Sequence, residues 1–137
     1  MRLALKWILA ATLALSSTPS VTSTQLLKTS TTWNGAPIQY ASSARPEVQA
    51  VTVEIAPGGS TIWHKHPVNN FAYLLEGKIR LELEDGTTRE FQAGDAFAEV
   101  VDTWHRGVNV GSGPVKILVW YTAEAGGPIS IPRPEPR

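Results

Sequence analysis

All three histidines of the 137-residue chain fall in two short segments, and their spacing is typical of metal ligands. His64 and His66 are two residues apart, so both side chains project from one face of an extended strand. His105 is the only other histidine and therefore the only candidate for a third imidazole. Neutral imidazole binds several transition metals well, and three protein ligands leave positions open for water or substrate. The sequence predicts a three-histidine site for a divalent transition metal: iron, zinc, manganese or nickel.

The same histidines allow an interpretation without a metal. A lone histidine is more often a surface or core residue than a ligand, although these three lie beside aromatic or strand-like sequence. The alternative is a barrel whose histidines bind an organic ligand directly, or keep only the remains of a metal site.

Other familiar catalytic chemistry is missing from the sequence. There is no cysteine to act as a thiol nucleophile, no Gly-x-Ser-x-Gly elbow and no glycine-rich phosphate loop. If the protein is an enzyme, a metal ion must polarise a carbonyl, activate water or bind dioxygen.

The residues around the histidines resemble the two sequence motifs of the cupin superfamily. Two groups carry the resemblance, in the family's order: Gly58, His64, His66 and Gly77, followed by Gly94, Asp95, His105 and Asn109. The resemblance implies a single-domain jelly-roll barrel with a metal held by the histidines, and it also implies a homodimer. It indicates little about the reaction, because cupins host many chemistries and some bind ligands without catalysis.

The chain departs from the family pattern at three positions. A glutamate usually follows the second histidine by four residues as a fourth metal ligand, whereas this chain has Asn70, whose amide oxygen is a weaker ligand. Three-histidine cupins without that glutamate resemble the thiol dioxygenases, so iron remains a candidate for the bound metal.

Glu99 could supply the missing carboxylate if it points inward, and it is the candidate for proton transfer. The alternative for Glu99 is a carboxylate that faces solvent. The second motif also departs at Val100 and Asp102, where proline and glycine are frequent.

Aromatic residues near the histidines are predicted to line the mouth of the barrel. The candidates are Tyr73, Phe97 and Trp104, and such walls would suit a small aromatic or sugar-like ligand. For Trp104, packing against the sheet is an equal alternative.

Short strands separated by turns must position these residues. Residues 48–55 and 79–83 alternate between apolar and polar side chains, as half-buried strands do, whereas residues 71–75 and 115–121 are apolar on both faces. Asp85-Gly86 is a tight-turn signal. No helical period is visible beyond the first 23 residues, so the pattern predicts an all-β sandwich or barrel. The jelly roll itself comes from the cupin resemblance.

The first 23 residues are typical of a secretory signal peptide. Arg2 and Lys6 precede an apolar run at residues 7–15, which is too short to span a bilayer, and small hydroxylic residues follow. Cleavage is predicted after Ser23, with competing sites within residues 14–24, and the alternative is a retained anchoring segment. A periplasmic or secreted protein is expected.

One domain is predicted after the signal peptide. Residues 24–46 form an approach segment, residues 47–131 the cupin barrel and residues 132–137 a proline-rich tail. The absence of cysteine means that no disulfide can stabilise the chain after export.

Charge argues against polyanionic partners. Twelve basic residues balance twelve acidic ones, and removal of residues 1–23 takes away two basic residues and no acidic one. Nucleic acids require clustered lysine and arginine, which this sequence lacks. The predicted partner is a small molecule, with no nucleic acid and no stable membrane insertion after signal removal.

Two functions of different classes therefore remain open. The first is an exported metal-dependent cupin enzyme that acts on a small molecule, as a dioxygenase, isomerase or hydrolase. The second is a non-catalytic cupin module that binds a small ligand with a degenerate or absent metal site.

Overall fold

The computed structural model describes residues 21–134, and the predicted signal peptide lies outside this range except for its last three residues. The described chain contains nine strands and no helix, so it holds no helical segment that could cross a bilayer. The strands are β1 (Pro46–Ile55), β2 (His64–Lys65), β3 (Asn69–Glu76), β4 (Lys78–Leu83), β5 (Thr88–Gln92), β6 (Ala96–Ala98), β7 (His105–Asn109), β8 (Val115–Glu124) and β9 (Ile131–Pro132).

Two antiparallel sheets form a sandwich around one core. One sheet has the strand order β1-β8-β3-β6, and the other has the order β5-β4-β7-β2-β9. The predicted all-β jelly-roll fold is confirmed. The barrel starts at Pro46, and Pro132 of the predicted tail lies in β9, an edge strand, where a proline is tolerated because it has no neighbour on one side.

The alternation along β8 shows how the core is filled. Its odd-numbered residues, among them Ile117 and Val119, are buried, and its even-numbered residues point away from the second sheet. The inward side chains meet those of β3 and β4, including Leu74 and Ile79, in one apolar cluster. Each buried aliphatic side chain contributes about 1.5–3 kcal/mol through removal of apolar surface from water.

The outer face of the four-stranded sheet is unusually apolar. Ala50, Trp120 and Phe71 are neighbours across β1, β8 and β3 on this face, and Val48 lies on the same edge. Val48 is 67% exposed and Trp120 is 40% exposed. The apolar residues that the sequence shows on both faces of β8 are therefore divided between the core and this outer surface.

Two predicted turns contain glycines with positive φ. Gly77, between β3 and β4, has φ 82°, and Gly86, between β4 and β5, has φ 88°. A Cβ atom on Gly77 would overlap the carbonyl oxygen of Pro114, whereas one on Gly86 would meet no atom within 4 Å. Both positions favour glycine because it adopts a positive φ without strain. At Gly77 the close packing also leaves no room for a side chain.

These two glycines give a matched pair of substitutions. We expect Gly86→Ala to lower the free energy of unfolding by about 1–2 kcal/mol through backbone strain, and Gly77→Ala by about 3 kcal/mol or more because steric overlap is added. Urea denaturation of both variants measures the difference. Equal losses would show that the contact with Pro114 has no role in stability.

Candidate metal centre

The three histidines converge because β2 and β7 pair in a fixed register. His64 lies directly opposite His105 in this antiparallel pair. His66, two residues along, projects to the same side, and its ring centroid is 4.9 Å from that of His64 and 5.0 Å from that of His105. The His64 and His105 centroids are 4.4 Å apart. One ring nitrogen from each residue lies within 4.8 Å of the other two.

Backbone carbonyls determine which nitrogen of each ring is free. The Nδ1 atoms of His64, His66 and His105 lie 2.8, 2.7 and 2.8 Å from the carbonyl oxygens of Ile62, Ile129 and Thr103. Because a carbonyl oxygen only accepts, each Nδ1 must carry the proton and donate it. Every Nε2 is then left with a lone pair, which is the tautomer that metal-binding histidines use. This set of donors fits a divalent metal ion.

Burial keeps two of the rings neutral. His66 is 5% exposed and His105 is 2% exposed, and burial lowers the pKa of each to about 4. The hydrogen bonds to Ile129 and Thr103 oppose this shift, and neighbouring histidines add to it. Neutral rings at pH 7 need lose no proton before they bind a metal.

The histidines border a cavity of about 60 Å³ between the two sheets. Asn70 on β3 lines this cavity and is 2% exposed, and its Nδ2 atom has no hydrogen-bond partner among the described residues. A buried amide donor without a partner is costly, so a bound ligand or water is expected to accept from it. Asn70 therefore contributes a neutral polar group beside the histidines.

Glu99 points into the same cavity and not toward solvent. It follows β6 directly and is 6% exposed. Its Oε1 atom accepts hydrogen bonds from Trp33 Nε1 at 2.5 Å and Val100 N at 2.8 Å, and its Oε2 atom lies 4.0 Å from His105 Nε2. Burial raises the pKa of Glu99 to about 7, although both hydrogen bonds oppose the shift. Since His105 is neutral at pH 7, the 4.0 Å contact is not an ion pair.

Of the three aromatic residues predicted to line the barrel mouth, only Phe97 lines the cavity. Phe97 lines the cavity and stacks on Phe91 with ring centroids 4.0 Å apart. Tyr73 alternates with two buried neighbours on β3, so it lies on the outer face of the sheet, away from the cavity. Trp104 lies outside as well, with Lys65 Nζ 5.4 Å from its ring centroid. Strand parity explains both corrections, because each residue is adjacent to an inward-facing one.

Two residues of the site were missed by sequence reasoning. Tyr121 lines the cavity with its ring 5.2 Å from that of His66, and burial with the nearby charge of Glu99 raises its pKa to about 12. In the sequence Tyr121 shares a strand face with Ile117 and Val119, but β8 is apolar on both faces, so its pattern does not reveal which face meets the cavity. Trp33 lies 66 positions before Glu99, and no local signal connects the two residues.

The loop before His105 contains the two residues at which the second motif departs from the family pattern. Asp102 has φ 49°, a left-handed conformation in which glycine is favoured but aspartate is tolerated. Its N–H donates to the carbonyl of His66 at 2.8 Å, and its carboxylate pairs with Lys65 at 3.2 Å. Val100 is fully buried. The loop thus connects the backbone of the first histidine segment to the approach of the second.

Comparison with known families identifies the barrel. The sequence model of the Cupin domain matches residues 51–121, a range that includes all three histidines, Asn70 and Glu99. No curated protein sequence matches the chain.

Solved structures with the same fold include several oxalate enzymes. Oxalate decarboxylase from Lactobacillus farciminis, in a formate complex, is 27% identical with a TM-score of 0.55 over 62% of this chain and 26% of its own. Bacillus subtilis oxalate decarboxylase, which has Mn(II) centres, is 24% identical with a TM-score of 0.54 over 62% and 23%. A cupin-like protein from Thermotoga maritima is 21% identical with a TM-score of 0.56 over 63% and 64%. This chain thus spans about a quarter of the oxalate decarboxylases.

Removal of a histidine tests the metal centre. We expect the metal-free protein to bind one Mn²⁺ or Zn²⁺ per chain, and His66→Ala or His105→Ala to weaken binding more than about 100-fold through loss of a direct ligand. Isothermal titration calorimetry measures both quantities. Lys65→Gln is the control, because its side chain leaves the same segment toward Asp102 and Trp104. Unchanged affinity in the histidine variants would exclude this site.

Proposed function

The chain belongs to the Cupin domain family, and on that premise we propose that it is a metal-dependent enzyme acting on a small molecule inside the barrel. The observation that carries this proposal is the set of three histidines whose Nδ1 atoms are all bound to carbonyls and whose Nε2 atoms are free. A divalent ion held there would supply Lewis-acid chemistry to a bound substrate. Iron, zinc, manganese and nickel remain the candidate ions.

The size of the cavity supports a small organic acid as the substrate. Its volume of about 60 Å³ is far below the roughly 300–1,000 Å³ of pockets for drug-sized ligands. The similar oxalate decarboxylase from Lactobacillus farciminis is described in complex with formate. The unpaired Asn70 amide is a suitable donor to a carboxylate oxygen. We therefore infer a carboxylate of a few non-hydrogen atoms, and decarboxylation or oxidation join the dioxygenase, isomerase and hydrolase reactions as candidates.

Glu99 is the residue best placed to hold or move a proton. It is the only carboxylic acid among the residues that line the cavity, and its Oε2 atom faces the histidines. Tyr121 also lines the cavity, but its raised pKa keeps the hydroxyl protonated, so it acts as a hydrogen-bond donor. In this proposal Glu99 accepts or donates a proton while Asn70 and Tyr121 orient the substrate.

A non-catalytic binding module is the second candidate. Asn70 favours it, because a neutral amide takes the place of a carboxylate that would bind the ion strongly. In that case the barrel holds a small ligand without turnover.

Turnover measurements separate the two candidates. With the protein saturated by Mn²⁺ and then by Fe²⁺, we expect consumption of oxalate, and Glu99→Gln should lower kcat about 100-fold or more through loss of the proton-transfer group. Glu76→Gln is the control, since Glu76 is an exposed residue at the end of β3. Metal-loaded protein that binds oxalate without consuming it would instead support the binding module.

We further propose that the protein is exported and dimeric. The signal-peptide pattern at residues 1–23 supports export, and the exposed apolar face around Val48 and Trp120 supports a homodimer.

Native mass spectrometry of protein from the periplasm or medium is expected to show a dimer of chains that begin at Thr24. Trp120→Glu should shift it to monomer, because a charge would be buried in the interface. A monomer with an intact N-terminus would contradict both proposals.

A further inference from the structure

Glu99, the only carboxylic acid among the described residues that line the cavity, accepts a hydrogen bond from a residue outside the family-matched range. Trp33 Nε1 lies 2.5 Å from Glu99 Oε1, and the matched range begins at residue 51. We propose that Trp33 is a positioning residue that holds Glu99 as the carboxylate of the metal centre. This inference rests on the proposed function, because it concerns the same site.

A small hairpin places Trp33 against the barrel. The Thr32 N–H donates to Ala36 O at 2.8 Å, and the Thr32 hydroxyl donates to Asn34 Oδ1 at 2.6 Å. The backbone N–H of Trp33 then donates to Ala98 O at 2.9 Å, at the edge strand β6 that leads into Glu99. Arg89 also donates to the Trp33 carbonyl at 3.2 Å. Backbone and side-chain bonds thus direct the indole toward the carboxylate.

The two carboxylate oxygens of Glu99 have different contacts. Oε1 accepts from both Trp33 Nε1 and Val100 N, so neither bond can form if the carboxylate rotates away. Such bonds to an ionised group are stronger than neutral ones. Oε2 makes no hydrogen bond to the described residues and lies 4.0 Å from His105 Nε2. Trp33 therefore leaves a single oxygen facing the histidines.

The position of Oε2 places its charge beside the histidines. It lies 4.0 Å from His105 Nε2, close enough to stabilise a divalent ion held by the three Nε2 atoms through its charge. Asn70 on the adjacent strand supplies only a neutral side-chain amide, and its backbone carbonyl accepts the Glu99 N–H at 3.0 Å. Glu99 is consequently the one anionic group in the lining that can balance a divalent charge.

Removal of the indole donor tests this assignment. Trp33→Phe keeps an aromatic ring but cannot donate to Glu99. We expect it to retain one Mn²⁺ per chain with Kd raised about tenfold, as for other residues that orient a metal ligand. Glu99→Gln should raise Kd at least as much, and the double variant should bind no more weakly than Glu99→Gln alone, because both changes remove the same interaction. Trp120→Phe removes an indole on the outer face and should leave Kd unchanged.

A second readout uses the metal-free protein. We expect the ¹⁵N resonance of His105 Nε2 to move in Trp33→Phe and in Glu99→Gln, but not in Trp120→Phe, since only the first two change the carboxylate beside that nitrogen. If Trp33→Phe does not fold, benzothienylalanine at position 33 keeps the indole shape and replaces the N–H by sulfur.

The outcomes distinguish this inference from the proposed function. If the wild-type protein binds Mn²⁺ and Trp33→Phe changes neither Kd nor the His105 resonance, Trp33 is not a positioning residue while the metal centre stands. If the wild-type protein binds none of Mn²⁺, Fe²⁺, Zn²⁺ and Ni²⁺, the proposed function fails, and the role of Glu99 as the carboxylate of a metal centre fails with it.

Discussion

The metal centre depends on three hydrogen bonds from imidazole Nδ1 atoms to backbone carbonyls. Each bond orients a ring and places its free lone pair on Nε2, so the tautomers are set before any ion binds. Two of the carbonyls lie two residues before the histidine itself, whereas the carbonyl of Ile129 comes from the chain just before β9. The site is thus prepared by the backbone of the barrel and also depends on its C-terminal edge strand.

Burial gives this prepared site its electrostatic character. The same low-dielectric cavity that lowers the pKa of His66 and His105 raises that of Glu99, because charge of either sign is disfavoured there. Three lone pairs, one carboxyl group and an unpaired amide donor consequently face one small space. Such an arrangement is expensive for stability alone and is typical of functional sites.

The fold by itself says little about the reaction. Barrels of this family share their sheets while the residues in the cavity decide the chemistry, and this chain spans only about a quarter of the oxalate decarboxylases that it resembles. Its cavity combines Asn70, Glu99 and Tyr121 with three histidines. The hydrogen bond from Trp33 to Glu99 shows that a residue before the matched range contacts one of the residues that line the cavity.

Much of the barrel and the histidine cluster could be predicted from sequence. A period of two along β1 and β4, glycines at turns and two histidines on one strand face are local properties, and the cupin motifs supplied the connection to His105. The positions of Tyr73 and Glu99 could not be predicted in this way. Because β3 is apolar on both faces, its pattern does not reveal which face meets the opposite sheet. The contact between Trp33 and Glu99 joins segments 66 residues apart, so local order determined the strands, and only the packing of one sheet against the other decided which side chains share the cavity.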